Sequence, residues 1–332
     1  MADSTLPLVV RRVTPEAEGI NSYELVDPQG RPLPSFEAGS HIDVHLPGGY
    51  VRQYSLCNSP AERHRYCIGV LKDPKTTGGS RAMHENVGEG HTLVVSQPRC
   101  HFRLVGSARR HLLLAGGIGV TPMMAMIESL HASGADFVMH YCTRSIEQTA
   151  FRERLAAPHF RTKVSNHYDG GDPSRGLDIK TLLSDFEPGT HLYYCGPTGF
   201  MRAVKEATTH WPSAAVHFEY FAPVPAVSPT ESSGSFKVQL GRGGPLYEVP
   251  PDKSIVQVLR EHGIEVETSC EGGVCGTCRT TYLEGTPVHN DFVLTEAEQK
   301  DSVLICCARS ASEILVLGLP LTPGGKPAGA QE

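Results

Sequence analysis

The chain has 332 residues and a formal net charge of −6. At about 150 residues per domain, this length predicts two domains and allows three. Apolar residues make up 39% and charged residues 20%, which excludes wholesale disorder, and the acidic balance lacks the polybasic signature of a nucleic-acid binder.

The first residues show no basic region followed by an apolar one, so no signal peptide is expected. Residues 112–127, the longest uncharged stretch, contain three glycines and a proline and fall short of the ~20 residues of a bilayer span. A chain without a membrane anchor, resident in the cytoplasm, is expected.

Residues 1–107 read as all-β: short apolar runs at 8–10, 22–26, 41–46 and 66–71 are separated by Pro and Gly turns. The run 41–46 alternates strictly, as a half-buried strand does. Several short antiparallel strands in ~100 residues favour a small barrel. From Arg109 the rhythm changes to alternating strand and helix through residue 221, which predicts a parallel sheet with helices on both faces. Helices are expected at 123–133 and 146–155, and a further one, following residues 196–201, reaching His210. Residues 222–235 are rich in Pro and Ser and read as a linker. A third unit, 236–320, opens with strands at 235–240 and 246–249 and a helix at 254–262, and 321–332 reads as a frayed tail. Residues 236–332 hold 8 Lys and Arg against 13 Asp and Glu, so this unit carries most of the net charge.

Ten cysteines are unevenly placed, with Cys270, Cys275, Cys278, Cys306 and Cys307 crowding the last third. Cys270, Cys275 and Cys278 form C-x4-C-x2-C, with Cys306 28 residues on, which is the plant-type spacing for a 2Fe–2S cluster. Four thiolates must converge on two irons, and Gly272, Gly273 and Gly276 allow backbone amides to approach the sulfides. A zinc site would show paired CxxC motifs instead.

Two glycine patterns precede it. Arg52-Gln53-Tyr54-Ser55 is followed by Gly78-Gly79-Ser80, where a basic side chain and helix-opening amides suit a phosphate. Gly116-Gly117-Ile118-Gly119-Val120-Thr121-Pro122 lies between a buried-type strand and a helix, with Cys195-Gly196-Pro197 further on, a turn suited to a pyrophosphate. It is not G-x-G-x-x-G, and Thr143-Arg144 stand where a dehydrogenase places an acid, so an ordinary Rossmann dehydrogenase is disfavoured. No H-E-x-x-H, G-x-S-x-G or Rieske-type Cys/His pair occurs, so hydrolase chemistry has no foothold.

In this order, the three motif sets resemble the phthalate dioxygenase reductase family, within the ferredoxin–NADP reductase superfamily, from Val9 to about Leu319. The resemblance implies a multidomain fold: a flavin-binding antiparallel β-barrel, a parallel-sheet nicotinamide-binding domain (108–221) and a C-terminal β-grasp plant-type ferredoxin. It implies FMN at Arg52, Gln53, Tyr54, Ser55, Gly69, Val70, Leu71, Gly78, Gly79, Ser80 and Phe221, the aromatic platform and adenine contacts of FAD members being missing. NADH is implied at Gly116, Gly117, Gly119, Val120, Thr121, Pro122, Thr143, Arg144, Cys195, Gly196 and Pro197, with Ser55 and Cys195 nearest the chemistry. The family's last cluster ligand lies three residues before an arginine; Cys306, followed by Arg309, fits, and Cys307 is then a packed neighbour or a thiol supporting the ligands. The implied activity is the reductase of a Rieske-type oxygenase or O-demethylase, a monomer that docks its partner at the acidic ferredoxin. The same electron chain serving a monooxygenase or cytochrome P450, or a redox sensor, is the alternative.

Overall fold

The computed structural model describes residues 5–72, 78–221, 234–266, 268, 273, 276–291, 294 and 297–318. The expected linker, apart from Gly234 and Ser235, and the expected tail lie outside the described residues. The chain divides into two compact units, Met1–Phe221 and Ala222–Glu332.

The first unit opens with an antiparallel sheet. Its strands are β1 (Leu6–Ala17), β2 (Ile20–Val26), β3 (Ser40–Leu46), β4 (Tyr50–Ser55), β5 (Tyr66–Leu71), β6 (Thr92–Val95) and β7 (Arg99–Cys100), with helix α1 (Gly79–Asn86) between β5 and β6. They run in the order β4-β3-β6-β1-β2-β5, with β7 added to β3. A bridge between Leu56 and Ile68 joins the outermost strands, β4 and β5, so the sheet closes into a barrel. Alternate residues point inward and make one core with Leu8, Val10, Tyr23, Leu25, Ile42, Val44 and Val95. Pro15, which has no amide to donate, sits at a register shift late in β1.

The second half of this unit is a parallel sheet of β8 (Arg110–Gly116), β9 (Phe137–Thr143), β10 (Val164–Tyr168), β11 (Thr190–Cys195) and β12 (Val216–Glu219). The order is β10-β9-β8-β11-β12, with β8, the most apolar run, in the middle. Helix α2 (Val120–Ser133) packs one face in a core with Leu113, Met139 and Tyr193. The short α4 (Ile179–Leu182) and α5 (Thr198–Ala207) cover the other, against Leu112, Leu114 and Tyr194. Chain order reverses between β8 and β11, and ligands bind at such a switch point beyond the carboxyl ends of the strands.

The helix expected at 146–155 is corrected. Turns lead there into one short helix, α3 (Arg152–Leu155), after Phe151 at φ 58°. The Thr149 hydroxyl donates to the Ser145 carbonyl at 2.8 Å, and the Ala150 amide donates to the Tyr141 hydroxyl at 3.2 Å. These side chains take the bonds that a regular helix would use. The helix expected to reach His210 ends at Ala207.

The second unit comprises β13 (Phe236–Leu240), β14 (Leu246–Val249), α6 (Ile255–Glu261), β15 (Arg279–Glu284), β16 (Pro287–Val288), β17 (Ser302–Leu304), β18 (Arg309–Ser310) and β19 (Ile314–Leu317). Its main sheet runs β14-β13-β19-β15-β17, with β13 and β19 parallel, and α6 packs on it in the β-grasp manner. Ser254 and Gln257 cap α6 reciprocally.

Candidate functional site

Two pairs of strand neighbours build the centre of the first unit. In the barrel, His41 of β3 lies directly opposite Ser55 of β4, so both side chains leave the same face. In the parallel sheet, Cys195 of β11 lies opposite Glu219 of β12. The pairs meet: the Ser55 hydroxyl donates to Glu219 Oε2 at 3.0 Å, and His41 Nδ1 lies 3.9 Å from Glu219 Oε1. Burial of Glu219 raises its carboxyl to about 7, against the opposing hydrogen bond from Ser55. Burial, with Arg99 and His101 adding like charge, lowers His41 to about 4. Near neutrality the site therefore holds a carboxyl poised to gain or lose a proton beside a neutral imidazole. Burial also pushes the Cys195 thiol up, so it stays protonated and presents a polarisable apolar surface rather than a nucleophile.

The two glycine turns at the switch point touch backbone to backbone. A Cβ on Gly119 would lie 2.2 Å from the Cys195 carbonyl oxygen, and one on Gly196 would lie 3.0 Å from Gly116 Cα. Gly117, at φ 51°, takes the turn into α2. No side chain caps α2 and its first turn has no acid, which leaves the helix start open to an anion. Val120, Thr121 and Pro122 are buried. Thr143 is buried at the end of β9, while Arg144 beside it is exposed.

Of the residues expected around a flavin, Arg52, Gln53 and Tyr54 lie along β4 with Ser55. Arg52 packs on the ring of Tyr50 and against Gly79, where a Cβ would lie 2.8 Å from the arginine side chain. Gly78, at φ 110°, turns the chain into α1, whose first residues are Gly79 and Ser80; its first turn holds no acid. The cradle thus combines one guanidinium with a glycine-opened helix start, a fit for a phosphate. Val70 is buried and its carbonyl meets His84 Nε2 at 2.9 Å, whereas Leu71 is exposed at the strand end. Gly69 serves packing: a Cβ there would lie 2.7 Å from Thr121 Cγ2, so the glycine lets β5 approach α2. Phe221 is 41% exposed.

In the second unit Cys278 and Cys306 are buried and their side chains are hydrogen-bonded together, while Cys270 and Cys275 lie outside the described residues. Cys307 is buried against Gly273, where a Cβ would lie 2.6 Å from its sulfur. Arg309 donates to the carbonyls of Pro250 and Lys253 at 3.0 and 2.8 Å, so the arginine of the Cys-x-x-Arg pattern pins the start of α6. Two converging thiols suit a cluster.

Comparison with known proteins agrees with both units. Residues 113–206 match the oxidoreductase NAD-binding domain, and residues 241–311 match the 2Fe–2S iron-sulfur cluster binding domain. The chain is 50% identical over 309 residues to vanillate O-demethylase oxidoreductase of Pseudomonas putida, covering 92% of this chain and 96% of that protein. It is 47% identical to the reductase subunit of tert-butanol monooxygenase / tert-amyl alcohol desaturase of Aquincola tertiaricarbonis, covering 95% and 96%. The solved structure of phthalate dioxygenase reductase, described as modular for electron transfer from pyridine nucleotides to 2Fe–2S, superposes with a TM-score of 0.73 at 40% identity, covering 96% of this chain and 98% of that one. The chain belongs to the phthalate dioxygenase reductase family. It is an oxidoreductase with the antiparallel-sheet, parallel-sheet and ferredoxin domains of that family. Among its described residues no helix is long and apolar enough to cross a membrane.

The geometry also brings out two residues with no sequence motif. Glu219 lies within His217-Phe218-Glu219-Tyr220-Phe221, where attention fell on Phe221, and His41 carried no motif. Neither has a local signal; both become functional candidates only through burial and strand register.

Proposed function

We propose that this chain is the reductase component of a Rieske-type aromatic-ring oxygenase or O-demethylase, carrying electrons from NADH through FMN to a 2Fe–2S cluster and on to the oxygenase. The observation that carries this reading is the meeting of Ser55, Glu219 and Cys195 beside the two glycine turns, in a chain whose second unit is a 2Fe–2S domain. Bound FMN supplies the exchange of two electrons for one at a time that links a hydride donor to a one-electron cluster.

The chain's own residues position and insulate. Arg52 and the α1 amides at Gly79 and Ser80 hold the FMN phosphate, and Tyr54 with Ser55 lines the ring. The α2 start and the Gly116–Gly119 turn take the pyrophosphate of NADH, and Cys195 sets the floor on which the nicotinamide rests. Ser55 and Glu219 hold a proton at the hydroxyl–carboxyl contact. Cys270, Cys275, Cys278 and Cys306 ligate the cluster, and the acidic surface of residues 236–320 receives a basic face of the oxygenase. The protein works as a monomer in the cytoplasm.

The test is an anaerobic absorbance spectrum of the purified holoprotein before and after one equivalent of NADH, with NADPH in parallel and Cys275→Ser alongside. Flavin and cluster bands should both bleach with NADH. In Cys275→Ser the flavin band alone should bleach, and transfer to the oxygenase should stop. Absence of bleaching in the wild type, or oxygenase turnover supported by Cys275→Ser, would overturn the reading.

A further inference from the structure

His41 is the one member of the central cluster to which the reading above gives no task. It is 6% exposed, and its Nε2 is buried with no hydrogen-bond partner among the described residues. Buried polar atoms are rarely left so, and each such atom needs a reason. Its other nitrogen faces Glu219 Oε1. The ring of His101 also lies against His41, with its centroid 5.4 Å away and tilted by 32°, and His101 is exposed. A line of titratable groups thus runs from the Ser55 hydroxyl through Glu219 and His41 to a surface imidazole.

The reaction needs such a line. When NADH gives up its electrons and both leave singly for an external acceptor, the products are NAD⁺, two electrons and one proton. The electrons have the cluster; the proton is left in a buried site. We propose that His41 accepts this proton from Glu219 and relays it through His101 to solvent. In the step, the O–H bond of the Glu219 carboxyl breaks and an N–H bond forms on His41. The proton on the other ring nitrogen then leaves for His101 or water, with no change in electron count. One bridging water, or a small rotation of the ring, closes the 3.9 Å gap.

The surroundings suit a relay rather than a store. His41 is faced by Glu219 from β12, Ser55 from β4, Arg99 from β7, His101 just beyond it and Asp43 on its own strand, while Cys195 lies next to Glu219. Asp43 is engaged by Arg99 at 2.6 Å, which limits its pull on the imidazole. With Glu219 near 7 and His41 near 4, the imidazolium is a minor species, about one part in a thousand relative to protonated Glu219. His41 therefore passes the proton on without trapping it.

This inference rests on the proposed electron path, and its test separates the two. Holoprotein in weak buffer with a pH-indicator dye is mixed with NADH and ferricyanide, and proton release, NADH loss and flavin absorbance are followed together in H₂O and D₂O. His41→Ala should slow proton release and turnover at least fivefold, raise the solvent isotope effect above that of the wild type, and recover on adding imidazole. His101→Gln, an exposed change, should slow proton release in weak buffer and recover in strong buffer. Unchanged proton release and isotope effect in His41→Ala that retains its flavin band would overturn the proposal. If His41→Ala loses its flavin, an unaffected His101→Gln overturns it. Absence of NADH-driven bleaching in the wild type would instead strike the electron path itself.

Discussion

Glu219 gives a quantitative handle on the buried centre. Its carboxyl ordinarily ionises at 4.5, and burial raises it to about 7 in the folded chain. The raised value means that the folded state favours the neutral acid. The associated stability is intact below pH 4.5 and is lost as pH rises through 7, because the unfolded chain gives up the proton first. At about 1.4 kcal/mol per pH unit, the rise from 4.5 to about 7 costs the folded state about 3 kcal/mol above pH 7, of which about 2.5 accrues between pH 5 and 8. Glu219→Gln keeps an acceptor for the Ser55 hydroxyl and removes the ionisation. The variant should therefore gain on the wild type by about 2.5 kcal/mol between pH 5 and pH 8, or about 5–10 °C in melting temperature for a unit of this size. The assay is direct, because the chain has one tryptophan, Trp211, buried in the first unit with its indole N–H donating to the Leu183 carbonyl at 3.1 Å. Urea titrations of Trp211 fluorescence across this pH range report the first unit alone. A gap between variant and wild type that does not change with pH would refute the argument that Glu219 is largely withdrawn from water and titrates near neutrality.

Gly119→Ala would drive a Cβ to 2.2 Å from the Cys195 carbonyl, where both neighbours are backbone; a loss of about 3 kcal/mol in the same Trp211 titration and a rise of tenfold or more in the KM for NADH are expected. Arg309→Ala would leave the carbonyls of Pro250 and Lys253 without their donor; a loss of about 2–3 kcal/mol is expected by circular-dichroism melting, with Trp211 fluorescence unmoved. Cys306→Ser should lose the visible cluster absorbance and iron content, while Cys307→Ser, which alters the contact with Gly273, should retain iron at wild-type stoichiometry.

The features legible in the sequence were those written in neighbouring residues. The cysteine spacing needs one loop and one later segment, which is the turn after β17 rather than a strand, and the glycine run at 116–119 announces a strand-to-helix turn because few other residues allow that approach. The alternation of strand and helix likewise follows from local apolar runs, and the parallel order with β8 central is the arrangement that buries its Leu112-Leu113-Leu114 run on both faces. The failures share the opposite cause. The helix expected at 146–155 lost to a hydrogen bond donated by Thr149 and one accepted by Tyr141, which involve a neighbouring strand and a buried turn. The need for glycine at 69 has no local signal either: it makes room for Thr121, 52 residues away in the chain. Glu219 looked like one acid among many; its character comes from Ser55, 164 residues earlier, and from burial that composition does not encode.

The centre depends on strand register more than on any single motif. His41 and Ser55 share a face because the β3–β4 hairpin pairs Leu46 with Tyr50 and closes through Pro47-Gly48-Gly49, with both glycines at positive φ. Cys195 and Glu219 share a face because β11 and β12 run parallel with Leu192 beside Val216. Side chains alternate with a period of two, so a slip of one residue in either pair would turn its member of the Ser55–Glu219 contact to the opposite face. The hydroxyl and the carboxyl would then part although every residue type remained present. The turn glycines at 48 and 49, which carry no reactive side chain, are therefore as much a condition of the site as Ser55 itself: they set the count that brings His41 and Ser55 together to Glu219.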